Sequence, residues 1–446
     1  MHRETGDSLS PASGARLPPL GCAESAIGRL HSALRRPHIA RLVAFLRRPS
    51  AGGVTRTGPE LANASSVLVV RLDGIGDAAM STGFLRELRS NLPDARVTLV
   101  AAPATMNLLE TCPYIDELLP CGSEYSKWQP LVRDWRAAAF ARRHLRGGRF
   151  DMALLPRWDT DWSIAPFVAY YSGAAQRVGY SEAVNPRKAE CNRGFDCLLT
   201  TAFVHDGLKH EVDRNLDLLR LLGARVQDAK LEVWLTQADR SFAKSLLSPA
   251  TRAGRPVVAV APGANEAKRE WPLAMFHRTA GELVKMGFAI VVVGGKADSS
   301  KGEHLQSRLT SCVNIAGRAT LRETAATLQR CTLFIGNDSG PMHLAACTGT
   351  PVVEISCHPQ DGAADHANSP ARFGPWQVPH RVLQPRTSLA PCVGACSASS
   401  AHCIQQMDCE QVIEAVVELL QTPAAGALPS IPWKRGRPRS LTRHGA

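Results

Sequence analysis

Two short stretches of this chain carry residue types and spacings suited to chemistry. In "VLVVRLDGIGDAAMSTGFLRELRSNL", residues 67–92, an apolar run leads into Gly74-Ile75-Gly76-Asp77-Ala78-Ala79 and then into a helical pattern. Gly74-x-Gly76-x-x-Ala79 satisfies the relaxed dinucleotide-binding form G-x-G-x-x-G/A. That chemistry also needs an acid closing the second strand to hold ribose hydroxyls, and "TLVAAPAT" is followed by none until Glu110. Asp77 would also stand where a pyrophosphate must approach, and like charges repel. A nicotinamide or flavin role is therefore rejected. The glycines instead let the backbone turn tightly and bring the side chain of Asp77 to the edge of a sheet. Asp is a favoured N-cap, and Asp77 directly precedes the helical pattern, so capping is the simpler expectation. A carboxylate there that faces a second domain is also placed to act as a general base.

The second stretch is "GNDSGPMHLAA", residues 336–346. A strand ends at Gly336, a polar loop follows, and Pro341 fits the first helical position. Gly340 is then the cap, which leaves the N–H groups of Met342, His343 and Leu344 free to receive an anion. Asp338 beside a phosphate is unfavourable unless turned away, so it is expected to face sugar hydroxyls or backbone amides, with Ser339 next to it. The plainer expectation is a strand-to-helix connection whose Asp338 and Ser339 satisfy local amides, with His343 packed in the core. "PGANEAKREWP", residues 262–272, adds a Gly turn at Gly263 and two cations, Lys268 and Arg269, ahead of Trp271-Pro272. A cation there can neutralise a leaving diphosphate, although neighbouring basic residues on a loop are ordinarily only solvated.

The elements that must position these residues alternate between strand and helix. Val67–Val70 reads as a strand, and Met80, Phe84, Leu85, Leu88 and Leu92 recur at helical spacing. Pro93-Asp94 turns the chain into a second strand over 96–102, completing a βαβ unit with a parallel sheet. The pattern restarts near residue 256: a strand into a Gly turn, a helix from Pro272 to Gly287, a strand over 288–295, another over 332–336, a short helix, and a strand over 350–356. Residues 245–256 have linker composition. The fold class is therefore α/β. A basic extension spans 1–65, two Rossmann-like domains span 66–250 and 256–421, and a basic tail spans 422–446. In open sheets of this kind ligands bind at the carboxyl ends of the strands, where every loop named above lies.

Composition narrows the field. With 446 residues the chain is too long for one ordinary core, and 44% hydrophobic with 21% charged residues reads as a soluble globular protein. The longest apolar run, 288–293, is far short of a membrane span, and the N-terminus lacks an apolar signal core. The thirteen cysteines are accordingly expected to be reduced thiols in a cytosolic protein. The net charge of +12 splits into +5 in residues 1–65, +5 in 434–446 and +2 in the body between. Residues 29–48 have the spacing of a short basic amphipathic helix suited to an anionic membrane surface, or of a solvated extension. "KRGRPR" resembles an AT-hook, but a solvated tail is the simpler expectation, and nucleic acid is not an expected partner. Cys392, Cys396, Cys403 and Cys409 cluster as C-x3-C-x6-C-x5-C. They lack paired C-x2-C knuckles, and no histidine pair completes a set, so no metal is expected there.

Taken together, "IGDAAMSTGFLRELRSNLPDARVTLV", "PGANEAKREWP" and "GNDSGPMHLAA" resemble glycosyltransferase family 9, the ADP-heptose:lipopolysaccharide heptosyltransferases, from about Val67 to Leu420. The resemblance implies a GT-B fold with an acceptor-side first domain and a nucleotide-sugar second domain facing one cleft. It implies inversion at the anomeric carbon without metal or other cofactor. It also implies donation from ADP-heptose to a lipid-linked saccharide acceptor at the cytoplasmic face of the bacterial inner membrane, with peripheral contact to that membrane. By position, Asp77 would take the acceptor's proton, and Gly76 would belong to the acceptor-side loop. Gly263, Lys268, Arg269, Asp338, Ser339, Gly340, Met342 and His343 would bind the donor, with Lys268 or Arg269 on the diphosphate and Asp338 on sugar hydroxyls. Members with other donors or acceptors exist. A protein that binds a nucleotide sugar without catalysis is the main rival, and a DNA-associated protein using its tails is the weaker one.

Overall fold

The computed structural model describes residues 59–122, 130–205 and 207–421. The basic stretch 29–48 and the "KRGRPR" tail lie outside the described residues. The first half forms strands β1 (Ser66–Arg71), β2 (Arg96–Ala101), β3 (Glu117–Pro120), β4 (Met152–Leu155), β5 (Gln176–Tyr180) and β6 (Thr201–Phe203). The second forms β7 (Val257–Ala261), β8 (Ala289–Val292), β9 (Cys312–Asn314), β10 (Leu333–Asn337), β11 (Val352–Ile355) and β12 (His380–Leu383). Each set makes one all-parallel sheet, in the orders β3-β2-β1-β4-β5-β6 and β12-β11-β10-β7-β8-β9. Read from its own first strand, each sheet has the same doubly wound order. The central strands are apolar without interruption because helices cover both faces; β4, β7 and β8 are buried at every residue.

The helices that matter for the site are α1 (Ile75–Met80), α2 (Thr82–Asn91), α3 (Gln237–Arg252), α4 (Leu273–Lys285), α5 (Leu321–Leu328), α6 (Gly340–Cys347) and α7 (Cys409–Gln421). The helical pattern after β1 thus starts five residues earlier than Met80 and breaks once at Ser81, whose N–H bonds back to Ala78 O at 3.1 Å. Helix α4 stops as its sequence indicates, with Gly287 at φ +96°.

The stretch expected to be a linker, 245–256, is helical as far as Arg252. Helix α3 carries Pro249 in its interior and starts on a full capping box, in which Thr236 and Asp239 satisfy each other's amides. It is held by the second half: Asp239 Oδ2 accepts from Arg322 Nε of α5 at 3.0 Å, and Arg240 bonds Gln329 Oε1 at 3.0 Å. Proline composition suggested a break, but the lost N–H falls near the helix end, and packing of α3 on α5 outweighs it.

One apolar cluster runs through both halves, joining Ala78, Ala79 and Met80 of α1 to Met342, Leu344 and Ala345 of α6. Two further clusters fill the outer faces of the two sheets. Cys409, grouped by spacing with three other cysteines, instead opens α7, and its Sγ lies 3.5 Å from Met275 O. His402 takes its place beside Cys392, Cys396 and Cys403.

Candidate active site

Each sheet reverses its strand order at one place, between β1 and β4 in the first and between β7 and β10 in the second. Chain ends diverge at such a point and leave a crevice outside the strand termini. The charged residues of the site leave the carboxyl ends of these four strands. They are Asp73 and Asp77 after β1, Arg157 and Asp159 after β4, Lys268 and Arg269 after β7, and Asp338 after β10.

In the first half Arg71 reaches two carboxylates, and Arg157 pairs with one of them. Arg71, the last residue of β1, sets Nε 2.9 Å from Asp73 Oδ2 and Nη2 3.4 Å from Asp77 Oδ1. Its Nη1 donates to Asn215 Oδ1 at 3.3 Å. Arg157 pairs with the other oxygen of Asp73. Burial alone would raise the Asp73 carboxyl, but Arg157 and Arg71 together hold it below the usual range. Asp77 goes the other way. Burial first, then the neighbouring Asp73 charge, raise its pKa against the pull of Arg71 and Arg157. One carboxylate is thus fixed as an ion while the other is a better proton acceptor than an ordinary aspartate.

The capping expectation for Asp77 is not met. Gly74 is the N-cap, Asp77 is the third residue of α1, and its side chain makes no cap bond. Among the described residues the long contact to Arg71 is what engages the carboxylate, which is 28% exposed.

The second half departs from expectation at its amides. Ser339, not Gly340, caps α6, and Gly340 is its first residue. The N–H groups of Met342 and His343 are not free, because both donate to Ser339 O, at 3.0 and 3.4 Å. The Met342 side chain belongs to the core. His343 is buried; burial, opposed by Asp338, pushes its pKa down to about 4 and leaves the ring neutral. Asp338 does not open onto the cleft as an empty carboxylate. Its Oδ2 lies 2.6 Å from Arg269 Nη2, which also donates to Asp338 O at 2.6 Å, and its Oδ1 is 4.0 Å from His343 Nε2.

Arg269 is therefore locked, with the Glu354 carboxyl nearby. Burial, then the Asp338 charge, raise Glu354 well above its ordinary value, and Arg269 opposes them. Lys268 is the looser cation: it pairs with Glu266 Oε2 at 2.8 Å, and Glu266 is half exposed. The Glu266 carboxyl is lowered chiefly by its bond to Lys268. Gly263 is a packing position. A Cβ there would fall 1.8 Å from Asp298 Oδ1, and Asp298 in turn accepts from Gly295 N at 3.0 Å and meets Lys301 at 3.3 Å.

What brings the two sides together is glycine packing between α1 and α6. A Cβ on Gly76 would lie 2.5 Å from His343 Cδ2, and one on Gly340 would lie 3.2 Å from Ile75 Cβ. Cys347 Sγ approaches Ala79 O at 3.6 Å. Asp77, next to Gly76, is consequently held beside the start of α6. In an unobstructed helix Gly→Ala adds about 0.5–1 kcal/mol of stability. Gly76→Ala is expected to do the reverse, costing about 1–3 kcal/mol by overpacking against a buried ring. It should also lower kcat/KM about tenfold or more by parting the two helices. Thermal unfolding and steady-state turnover of the purified variant check both; a stabilised, fully active variant contradicts this contact.

Several cleft residues escaped the sequence reading. Asp73 stands four residues before Asp77 in the same loop and was visible there. Arg71 and Arg157 had no motif around them. Arg372, from the second half, is buried and donates to Asp159 Oδ2 at 2.8 Å and to Glu211 Oε1 at 3.1 Å, both in the first half. Its guanidinium also lies 5.1 Å from the Trp158 ring. No local pattern announces such a clamp.

Two doubly wound parallel sheets, meeting at their switch points across one cleft, define a GT-B protein of the α/β class. The chain belongs to glycosyltransferase family 9 (heptosyltransferase), whose profile matches residues 139–397. It is 23% identical over 297 residues to lipooligosaccharide heptosyltransferase 2 of Haemophilus influenzae, covering 65% of this chain and 82% of that protein. It is 24% identical over 307 residues to lipopolysaccharide heptosyltransferase 2 of Escherichia coli, covering the same shares of the two chains. A solved family 9 glycosyltransferase from Veillonella parvula superposes with TM-score 0.65 at 22% identity, over 82% of this chain and 98% of that one. The family match begins beyond Asp77, whose neighbour Gly76 packs on His343 of α6.

Proposed function

We propose that this chain transfers a heptose, with inversion, from ADP-heptose to a saccharide acceptor of the lipopolysaccharide core or a related glycolipid. The observation that supports the reading is the α1–α6 contact, in which Gly76, next to Asp77, packs on His343 at the start of α6, the helix that follows Asp338 and its partner Arg269. Asp77 takes the proton from an acceptor hydroxyl, and that oxygen bonds to the anomeric carbon from the face opposite the diphosphate. The bond from carbon to diphosphate oxygen breaks, and its electron pair leaves with ADP. Lys268, able to leave its exposed partner Glu266, meets the charge that develops on the leaving group. Arg269 holds the loop in place through Asp338 and adds its positive potential. Ser339 and Gly340 shape the turn against which the donor lies, and neutral His343 spaces that turn from Gly76. In this reading no metal acts at the reacting carbon, because side-chain cations serve the diphosphate. The acceptor's lipid places the enzyme peripherally on the inner face of the bacterial inner membrane. The relatives' names support the sugar and acceptor class, and the paired Asp73 and Asp77 environments support the chemistry.

A strain lacking this chain tests the assignment. Mass analysis of its surface glycolipids is expected to show the core truncated by one or more heptoses, restored by the wild-type gene. An unchanged glycolipid profile contradicts the acceptor, and a loss of some other sugar contradicts the donor.

A further inference from the structure

Between β12 and α7 the chain runs for some twenty-five residues with only one short 3-10 turn, Cys403–Gln406, to organise it. Structureless stretches of that length are uncommon inside a packed body and usually carry a function. Four side chains converge there: Cys392, Cys396, His402 and Cys403 place their ligand atoms all within 4.8 Å of one another. Cys392 Sγ and Cys403 Sγ lie 3.6 and 3.5 Å from the same atom, His402 Nδ1.

We propose that Cys392, Cys396, His402 and Cys403 bind a structural zinc ion. A tetrahedral zinc with Zn–S of about 2.3 Å and Zn–N of about 2.0–2.1 Å has S···N edges of about 3.6 Å. The two measured S···N separations match that edge. Hydrogen bonding explains the arrangement less well. An imidazole nitrogen offers either one proton or one lone pair, so it cannot bond two sulfurs at once, whereas it can share an ion with both. A second shell is also present: the Ser397 N–H and hydroxyl both point at Cys392 Sγ, at 3.4 and 3.5 Å. Such donors orient and stabilise a ligating thiolate. Four protein ligands leave no open position, so the ion is structural and takes no part in sugar transfer.

The site also has something to hold. Cys392, Cys396, Cys403, Ile404 and Met407 enter the apolar cluster of the second sheet. Met407 O accepts from Trp271 Nε1 at 3.0 Å, two residues beyond Arg269. The staple therefore braces the loop that carries the cleft cations. The sequence pattern missed it because it counted Cys409 as the fourth ligand and looked for a histidine pair, when one histidine next to Cys403 suffices.

Elemental analysis of the full chain, purified without chelator or added metal, is expected to give about one zinc per chain. Exchange into cobalt(II) should give the visible absorption of a tetrahedral ion and near-ultraviolet bands from sulfur to cobalt charge transfer. Cys396→Ser/Cys403→Ser should lose both, and Cys409→Ser should keep both, with Cys409→Ser serving as the control for folding. Zinc-free wild-type protein that yields no such cobalt spectrum overturns the proposal. So does a metal content unchanged in Cys396→Ser/Cys403→Ser, or a disulfide within the cluster in place of the ion.

Discussion

Asp77→Asn is expected to lower kcat by about 10²–10⁴-fold, the usual worth of a positioned general base, while donor affinity changes little. The amide keeps the size and polarity of the carboxylate, so α1 and its packing on α6 survive, and only the proton acceptor is lost. Calorimetric titration with ADP separates binding from turnover in the same preparation. Full turnover in this variant removes Asp77 from the chemistry. A loss of ADP binding with normal turnover per bound donor would instead make it a donor contact. The wild-type pH profile carries an independent sign. Asp77 works as the ionised base, and burial with the adjacent Asp73 charge raises its pKa. In the free enzyme, kcat/KM should therefore fall on the acid side at a pH above the ordinary aspartate value of 3.8. Asp73→Asn removes the second of those causes and should move that limb to lower pH.

Arg269→Met is expected to be the most destabilising single change in the cleft, costing about 3–5 kcal/mol, because it leaves buried carboxylates without their cation. Asp338 loses contacts at 2.6 Å to both its carboxylate and its carbonyl. At about 2–4 °C per kcal/mol, the midpoint of thermal unfolding should drop by roughly 10 °C. The pH dependence of that deficit follows from Glu354, whose folded pKa lies well above its ordinary 4.5. A raised carboxyl contributes stability that is present below 4.5 and lost as pH rises through the folded value. Arg269 limits that loss, so the variant should fare worse, relative to wild type, at pH 8 than at pH 5. Arg269→Met/Asp338→Asn should recover part of the deficit, since neighbours in one network are not additive. An unchanged midpoint in Arg269→Met contradicts the lock.

How much of this was legible in the sequence depended on how local each signal was. The strand–Gly loop–helix after Val67 and the strand–loop–helix at Gly336 are continuous patterns, and both sheets follow from them. Asp77, Lys268, Arg269 and Asp338 were singled out for the same reason, since each follows the carboxyl end of a strand that the local pattern announces. Their partners were not legible. The contact of Gly76 with His343, the clamp of Arg372 on Asp159 and Glu211, and the pairing of Arg157 with Asp73 all join residues remote in sequence. Local rules misled where tertiary packing outweighed them. Pro249 and Gly254 suggested a linker that is helix as far as Arg252. A proline at the second position of α6 suggested free amides, but Ser339 O takes those of Met342 and His343.

The most direct test is a crystal structure of the chain with an ADP-sugar that cannot be turned over. The expected result is the diphosphate against the Lys268–Arg269 loop, with the anomeric carbon turned toward Asp77 and room for one acceptor hydroxyl between them. A donor seated with its sugar pointing away from α1, or lying outside the crevice between the two sheets, would contradict it.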